Sequence, residues 1–270
     1  MKKSIAVLLV FVLATMVLAT GCGKKDEGVL RVGLEANYPP FNWTQLDDSN
    51  GAVPIDGTKE YAGGYDVEIA KKIADGLGKE LVIVKTEWTG LIPALQSGTI
   101  DVIIAGMSPN AERKEAIDFS DNYYNSDLVM IVKKGGSYEN ATSLKDFSGA
   151  KVTAQLSTFH YTVIDQIEGV DKQPAMDDFT AMRVALDSGI IDGYVSERPE
   201  GVSAMQANEN LFMIDFEEGF ETSPEDTAIA VGIKKNSKLT EKINKIIGDI
   251  SEEDRISIMD AAILNQPAAE

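Results

Sequence analysis

The sequence predicts an α/β protein of two similar lobes with a ligand cleft between them. Three observations point there. Short apolar runs alternate with amphipathic helical stretches along most of the chain. One segment recurs without a gap: Trp88 to Asp101 aligns on Phe179 to Asp192 at a constant offset of 91 residues, repeating Thr, Ala-Leu, Ser-Gly and Ile-Asp in register. Two copies so far apart imply two like units. Finally, the apolar run after each copy stops at polar residues on the same level, Gly106 and Ser108 in one and Ser196 and Glu197 in the other. Ligands of open α/β sheets sit outside such strand ends.

The first residues read as an address. Lys2 and Lys3 precede an almost unbroken apolar run from Ile5 to Ala19, shorter than the roughly 20 residues of a membrane span and suited to a signal peptide over residues 1–21. The run ends Leu18-Ala19-Thr20-Gly21-Cys22, which resembles a lipobox with Cys22 as the lipidated residue. Cys22 is the single cysteine, so no intrachain disulfide competes for it. A polar tether, residues 22–28, follows. Removing Lys2 and Lys3 with the signal leaves 23 basic residues against 43 acidic ones, a net charge near −20. Such a balance offers no basic patch for nucleic acid. It fits a protein held at an anionic membrane surface by lipid rather than by charge.

Along the chain, Val29 to Leu34 is the first expected strand, stopped by Pro39 and Pro40, which leave Tyr38 and Phe41 at its mouth. Trp43 to Gly63 reads as a polar hairpin excursion. Gly64 to Leu77 carries a helical apolar stripe of Val67, Ala70, Ile73, Ala74 and Leu77. Its Asp66 and Glu68 fall in the first turn, where acids suit the helix dipole, and are read as structural. Leu81 to Val84 and Val102 to Ala105 are expected strands. The second unit begins after Lys133-Lys134-Gly135-Gly136, with Val152 to Gln155 as its first strand and a helix opening at Ser157-Thr158 and running through Ile167. Leu128 to Val132 and Thr227 to Ile233 are expected to cross between lobes, and Lys238 to Ile250 and Glu252 to Leu264 to close the fold. The expected division is 29–132 with 228–270 for the first lobe and 133–227 for the second.

The candidate chemistry centres on Ala105 to Arg113. Backbone groups at a strand end, the Ser108 hydroxyl and the planar fork of Arg113 together suit a carboxylate. Glu197 approaches from the other lobe. A cation and an anion across one cleft match a zwitterion, a free amino acid. Thr158, at a helix start, is expected to cap that helix or to hold the ligand carboxylate with Arg113. His160, the only histidine, has no evident partner base or nucleophile and is read as structural or as a support behind the ligand-binding residues. No catalytic residue, metal site or cofactor is implied.

With these residues the chain resembles the extracytoplasmic solute-binding proteins of polar amino-acid ABC transporters. Gly64 to Leu77 matches the family signature, and Glu35 to Phe41, Trp88 to Asp101, Ala105 to Arg113 and Asp192 to Glu197 fall in the family order. The resemblance implies a type II periplasmic-binding-protein-like fold, two lobes joined by two hinge strands, acting as a monomer on the outer face of the cell membrane. It implies that Tyr38 and Trp88 sandwich the ligand side chain. Gly106, Ser108, Arg113 and Thr158 would bind the α-carboxylate, Glu197 the α-ammonium, and Glu35 and Gln155 the far end of the side chain. Where relatives have Gly-Thr before the second-lobe helix, this chain has Ser157-Thr158, which leaves the backbone less free.

Arg113 and Glu197 balance a zwitterion, which leaves Glu35 without a partner. A buried lone carboxylate is costly, so a basic ligand such as lysine or arginine is expected, with glutamine or another polar amino acid second. Hinge closure and delivery to an ABC permease follow from the resemblance. An enzyme on the same scaffold, of dehydratase type, or an amino-acid-sensing surface lipoprotein are the alternatives.

Overall fold

The computed structural model describes residues 28–267; the signal-peptide reading and the Cys22 lipobox lie outside them. Among the described residues no helix is long and apolar enough to cross a membrane.

In chain order the elements begin with β1 (Val29–Leu34), β2 (Asn37–Tyr38), β3 (Asn42–Gln45), β4 (Val53–Pro54), β5 (Tyr61–Gly63), helix α1 (Tyr65–Leu77) and β6 (Glu80–Lys85). A 3-10 turn at Trp88–Gly90 leads into α2 (Leu91–Ser97), then β7 (Val102–Ile103), α3 (Ala111–Ala116) and β8 (Asp118–Asn125). The second unit holds β9 (Leu128–Lys133), β10 (Lys151–Thr153), α4 (Phe159–Val163), β11 (Asp171–Lys172), α5 (Phe179–Asp187), β12 (Gly193–Glu197), α6 (Arg198–Ala207) and β13 (Leu211–Ile214). The chain then returns through α7 (Pro224–Thr227) to β14 (Ala228–Ile233), α8 (Leu239–Gly248) and α9 (Glu252–Asn265).

Two five-stranded sheets result, in the orders β6-β1-β7-β14-β8 and β11-β10-β12-β9-β13. Position by position they are the same sheet. In each, two strands flank the first strand in parallel, and the third pairs antiparallel with a strand that is buried on nearly every residue. The polar excursion forms a separate antiparallel sheet, β2-β3-β5-β4.

The sequence repeat appears as repeated bonding. Asp101 accepts from the backbone N–H of Arg31 at 2.9 Å, and Asp192 accepts from that of Lys151 at 2.8 Å, so each copy pins the first strand of its own sheet. Ser97 donates to the Ala94 carbonyl and Ser188 to that of Ala185. Gly98 and Gly189 both take positive φ, 83° and 76°, where the helix must reverse into the strand.

Neither expected crossing is a crossing strand. Thr227 to Ile233 falls almost wholly on β14, inside the first sheet between β7 and β8, and Leu128 to Val132 falls on β9, which lies inside the second sheet between β12 and β13. Its unbroken apolar run has this cause: Val129 and Ile131 face the core shared with the first lobe, while Leu128, Met130 and Val132 pack with Phe147, Val152 and Ile164 on the other face. The first segment therefore leaves its sheet after Asn125 rather than at 132. The crossings are short. Ser126 N–H donates to the Thr227 carbonyl at 2.9 Å, tying the two together, and Arg198 N–H donates to the Asp127 carbonyl.

The second-lobe helix is also shorter than expected: α4 ends at Val163 and continues only as a 3-10 turn, Ile164–Gln166. Ahead of it, Ser157 sits at φ 58°, the left-handed region that costs a residue with a Cβ about 1–2 kcal/mol. Replacing Ser157 with glycine should therefore raise stability by about 0.5–1 kcal/mol once glycine's extra chain entropy is counted. Denaturant unfolding tests this, and a loss of stability would show that the Ser157 side chain contributes more than its backbone costs.

Candidate functional site

Asn110 caps α3, its side chain accepting from the Arg113 N–H at 3.0 Å. This fixes where Arg113 leaves the helix. Its guanidinium folds back to donate to the Ser108 carbonyl at 3.0 Å and, across to the other lobe, to the Ser157 carbonyl at 3.1 Å. It lies 5.0 Å from the Trp88 ring centre, and the Trp88 indole N–H donates to the same Ser157 carbonyl. Arg113 is only 8% exposed, and no carboxylate pairs with it among the described residues. Burial lowers its pKa from 12.5 to about 10, against the opposing pull of Glu112 and Glu197. The cation is thus buried and held by neutral carbonyls and the face of Trp88.

Glu197 ends β12, 1% exposed. Its Oε2 accepts from the Tyr38 hydroxyl of the first lobe at 3.0 Å. Its Oε1 is buried with no hydrogen bond. The imidazole Nε2 of His160 stands 3.6 Å from it, too far for a hydrogen bond. Neither nitrogen of that ring has a partner. His160 thus belongs to the site rather than to the bulk core.

The far end holds Glu35 and Gln155, both buried. The Gln155 amide donates to both Glu35 oxygens, at 3.0 and 3.3 Å, and to the Asp177 carbonyl. Glu35 has a partner after all, but a neutral one. Burial pushes its pKa from 4.5 to about 8, a rise that the Gln155 bond only partly offsets and that Asp178, Glu87 and Asp66 reinforce. From Glu35 a groove of about 690 Å³ opens outward past Asn37, Glu87 and Asp178. At the Arg113 end a second groove, about 560 Å³, runs past Trp88, Ser157 and Thr158.

Several residues do something other than expected. Tyr38 stacks on Phe179 of the second lobe, with centroids 4.2 Å apart and planes 12° from parallel, a geometry worth about 0.5–1.5 kcal/mol beyond burial. Phe179 is the repeat partner of Trp88, so its place in the cleft was written in the offset. Ser108 meets Arg113 through its carbonyl rather than its hydroxyl. The Thr158 hydroxyl neither caps α4 nor points to Arg113, but donates to the Gln155 carbonyl at 2.7 Å.

Gly106 turns its N–H inward, to the Tyr123 hydroxyl at 3.2 Å. At φ 62° an added Cβ would stand 2.7 Å from the Tyr38 ring, so only glycine fits. Behind it the Tyr123 hydroxyl donates to Asp66 at 2.7 Å, and Asn42 donates to the other Asp66 oxygen at 2.8 Å. Asp66, read from the sequence as a first-turn acid, is wholly buried. Burial lifts its pKa from 3.8 to about 7 despite those two bonds. It braces the wall of the cleft rather than the helix dipole. Only its place in a strongly apolar stripe could have signalled burial, and charge argued the other way.

The comparisons agree with this geometry. A family model described as bacterial extracellular solute-binding proteins, family 3, matches residues 30–262. The arginine-binding extracellular protein ArtP of Bacillus subtilis (strain 168) is 28% identical over 91% of this chain and 92% of its own length. The L-cystine-binding protein TcyJ of Escherichia coli (strain K12) is 31% identical, with coverages of 85% and 80%. Among solved structures, an amino acid ABC transporter substrate-binding protein from Streptococcus pneumoniae Canada MDR_19A bound to L-arginine superposes with a TM-score of 0.78 at 28% identity, covering 88% of this chain and 94% of that one. Two-lobed architecture, repeat and matched sequence lead to one assignment: the chain belongs to the bacterial extracellular solute-binding proteins of family 3.

Proposed function

We propose that the protein captures a free basic L-amino acid, arginine or lysine, between its lobes and presents it to an ABC permease, with glutamine or another polar amino acid as the second choice. One observation carries the reading. Arg113 from the first lobe and Glu197 from the second are both buried, and among the described residues neither has a strong ion of opposite sign beside it. A guanidinium suits a carboxylate in two-point contact, and a carboxylate suits an ammonium. The amino-acid end of a zwitterion supplies both. Since each lobe holds one charge, binding favours the arrangement in which the lobes meet. At the other end Glu35, with only an amide beside it and acids around it, favours a cationic side chain. The arginine-bound neighbour and the arginine-binding relative support that choice. An enzyme on this scaffold would have to use His160 and Glu197 as its acid–base pair; the relatives are named as binding proteins.

Calorimetric titration with the common amino acids should find arginine or lysine tightest, with the radius of gyration falling at saturation; glutamate as the tightest ligand would refute the charge argument. Arg113→Lys keeps the charge but loses the fork, and should weaken binding by roughly 10–100-fold, the loss of about 1.5–3 kcal/mol of charge-assisted hydrogen bonding.

Because burial raises the Glu35 pKa, its contribution to stability is complete below its ordinary value of 4.5 and is lost as pH rises through about 8. A cation bound beside it reverses the preference and expels the proton. Binding of arginine at pH 7 should therefore release a proton, read as a dependence of the binding heat on the buffer's ionisation enthalpy. Glu35→Gln should reduce that dependence, and an unchanged dependence in the variant would remove Glu35 from the side-chain pocket.

Anchoring through lipid on Cys22 places the protein at the outer membrane face. Cys22→Ala should free it into the medium and end its labelling by a fatty acid; label retained by the variant would exclude that residue as the anchor.

A further inference from the structure

We infer that His160 competes with the ligand's ammonium for Glu197, so that the site loses its amino acid on acidification. This rests on the proposed reading of Glu197 as the ammonium-binding residue.

His160 stands in α4, 6% exposed. Phe159 packs against its ring with centroids 4.3 Å apart, and Phe179 meets it edge to face at 6.5 Å. These apolar contacts hold the ring and leave its nitrogens without partners. Its Nε2 is 3.6 Å from Glu197 Oε1, the one oxygen of that carboxylate that nothing holds, since Oε2 takes the Tyr38 hydroxyl. Two buried and unsatisfied polar atoms so close are costly unless a third group serves them or a proton joins them.

A neutral imidazole, even as the tautomer that donates from Nε2, leaves the charge of the carboxylate for an ammonium. A protonated one moves less than an ångström, donates to Oε1, and neutralises the carboxylate that the ammonium needs. Both residues belong to the second lobe, on β12 and on the helix that follows its neighbour β10. The competition therefore does not depend on where the first lobe sits.

The other ionisable groups around this pair are accounted for. Tyr161, on the same helix, donates to the Gln173 carbonyl. Glu200, on α6, is held by Arg183 and Tyr194. From the first lobe, Tyr38 bonds the far oxygen of Glu197, and Arg113 and Tyr124 act on Glu197 through their fields. Glu35 and Asp66 titrate in an overlapping range, so the test must compare proteins rather than read one pH profile.

The affinity for L-arginine, with L-glutamine as a second probe, is measured from pH 8 to pH 5 for the untagged wild type and for His160→Gln. Histidine is the side chain that changes charge in this interval, and one linked proton weakens binding by at most about tenfold per pH unit. The ratio of Kd at pH 5 to Kd at pH 8 should be about tenfold larger or more in the wild type than in the variant. Parallel profiles would overturn the inference. A second readout needs no variant. The chain has one histidine, so its imidazole resonances need no assignment by mutation, and at a fixed pH within this interval saturating ligand should move them toward those of the neutral ring by the reciprocity of linkage. Resonances unmoved by ligand throughout the interval would also overturn it. If none of the common amino acids binds at pH 8, the reading of Glu197 falls, and the inference with it.

Discussion

Two buried charges of opposite sign, one on each lobe and neither neutralised, are the constraint on which the rest of the site depends. Moving a guanidinium or a carboxylate out of water costs several kcal/mol even after relaxation. Arg113 recovers part of that through carbonyls of Ser108 and Ser157 and the face of Trp88. Glu197 recovers less, through one phenolic hydroxyl. A fold selected only for stability would have paired these groups with each other or placed them in water. Keeping them dry and apart makes sense for a surface that must hold a dipolar guest.

The walls are built to keep them so. Gly106 lets the Tyr38 ring pass close above the backbone, and that ring both stacks on Phe179 and reaches Glu197. Tyr123 and Asp66 take up the Gly106 N–H from behind. The site is therefore one connected set of contacts running from the α1 start, through the end of β7, to β12 in the opposite lobe. The Glu35 end differs in kind. There Glu35 meets only the amide of Gln155 among other acids, and its charge is the adjustable quantity.

The internal repeat explains why two lobes can share one guest. Each copy delivers an aromatic residue, Trp88 or Phe179, at its start and a polar strand end at its close. Asp101 and Asp192 pin both copies to their sheets with the same bond. What differs between the copies is function: Trp88 supports the cation, while Phe179 supports the ring above the anion.

The sequence by itself determined the α/β class, the two-fold repetition, the helices from Tyr65 and from Phe179, and the opposed Arg113 and Glu197. Helical stripes, apolar runs and an ungapped repeat are local or periodic signals, and a lone arginine after a strand end is visible without coordinates. Only the tertiary structure decided that β9 lies within the second sheet, because a continuous apolar run looks the same in a crossing strand as in an interior one. It alone also decided that Asp66 is buried, that Tyr38 stacks on Phe179, and that His160 stands beside Glu197. Each of these depends on residues far apart in the chain meeting at one point, and burial of a charge is set by what packs around it rather than by its neighbours in sequence.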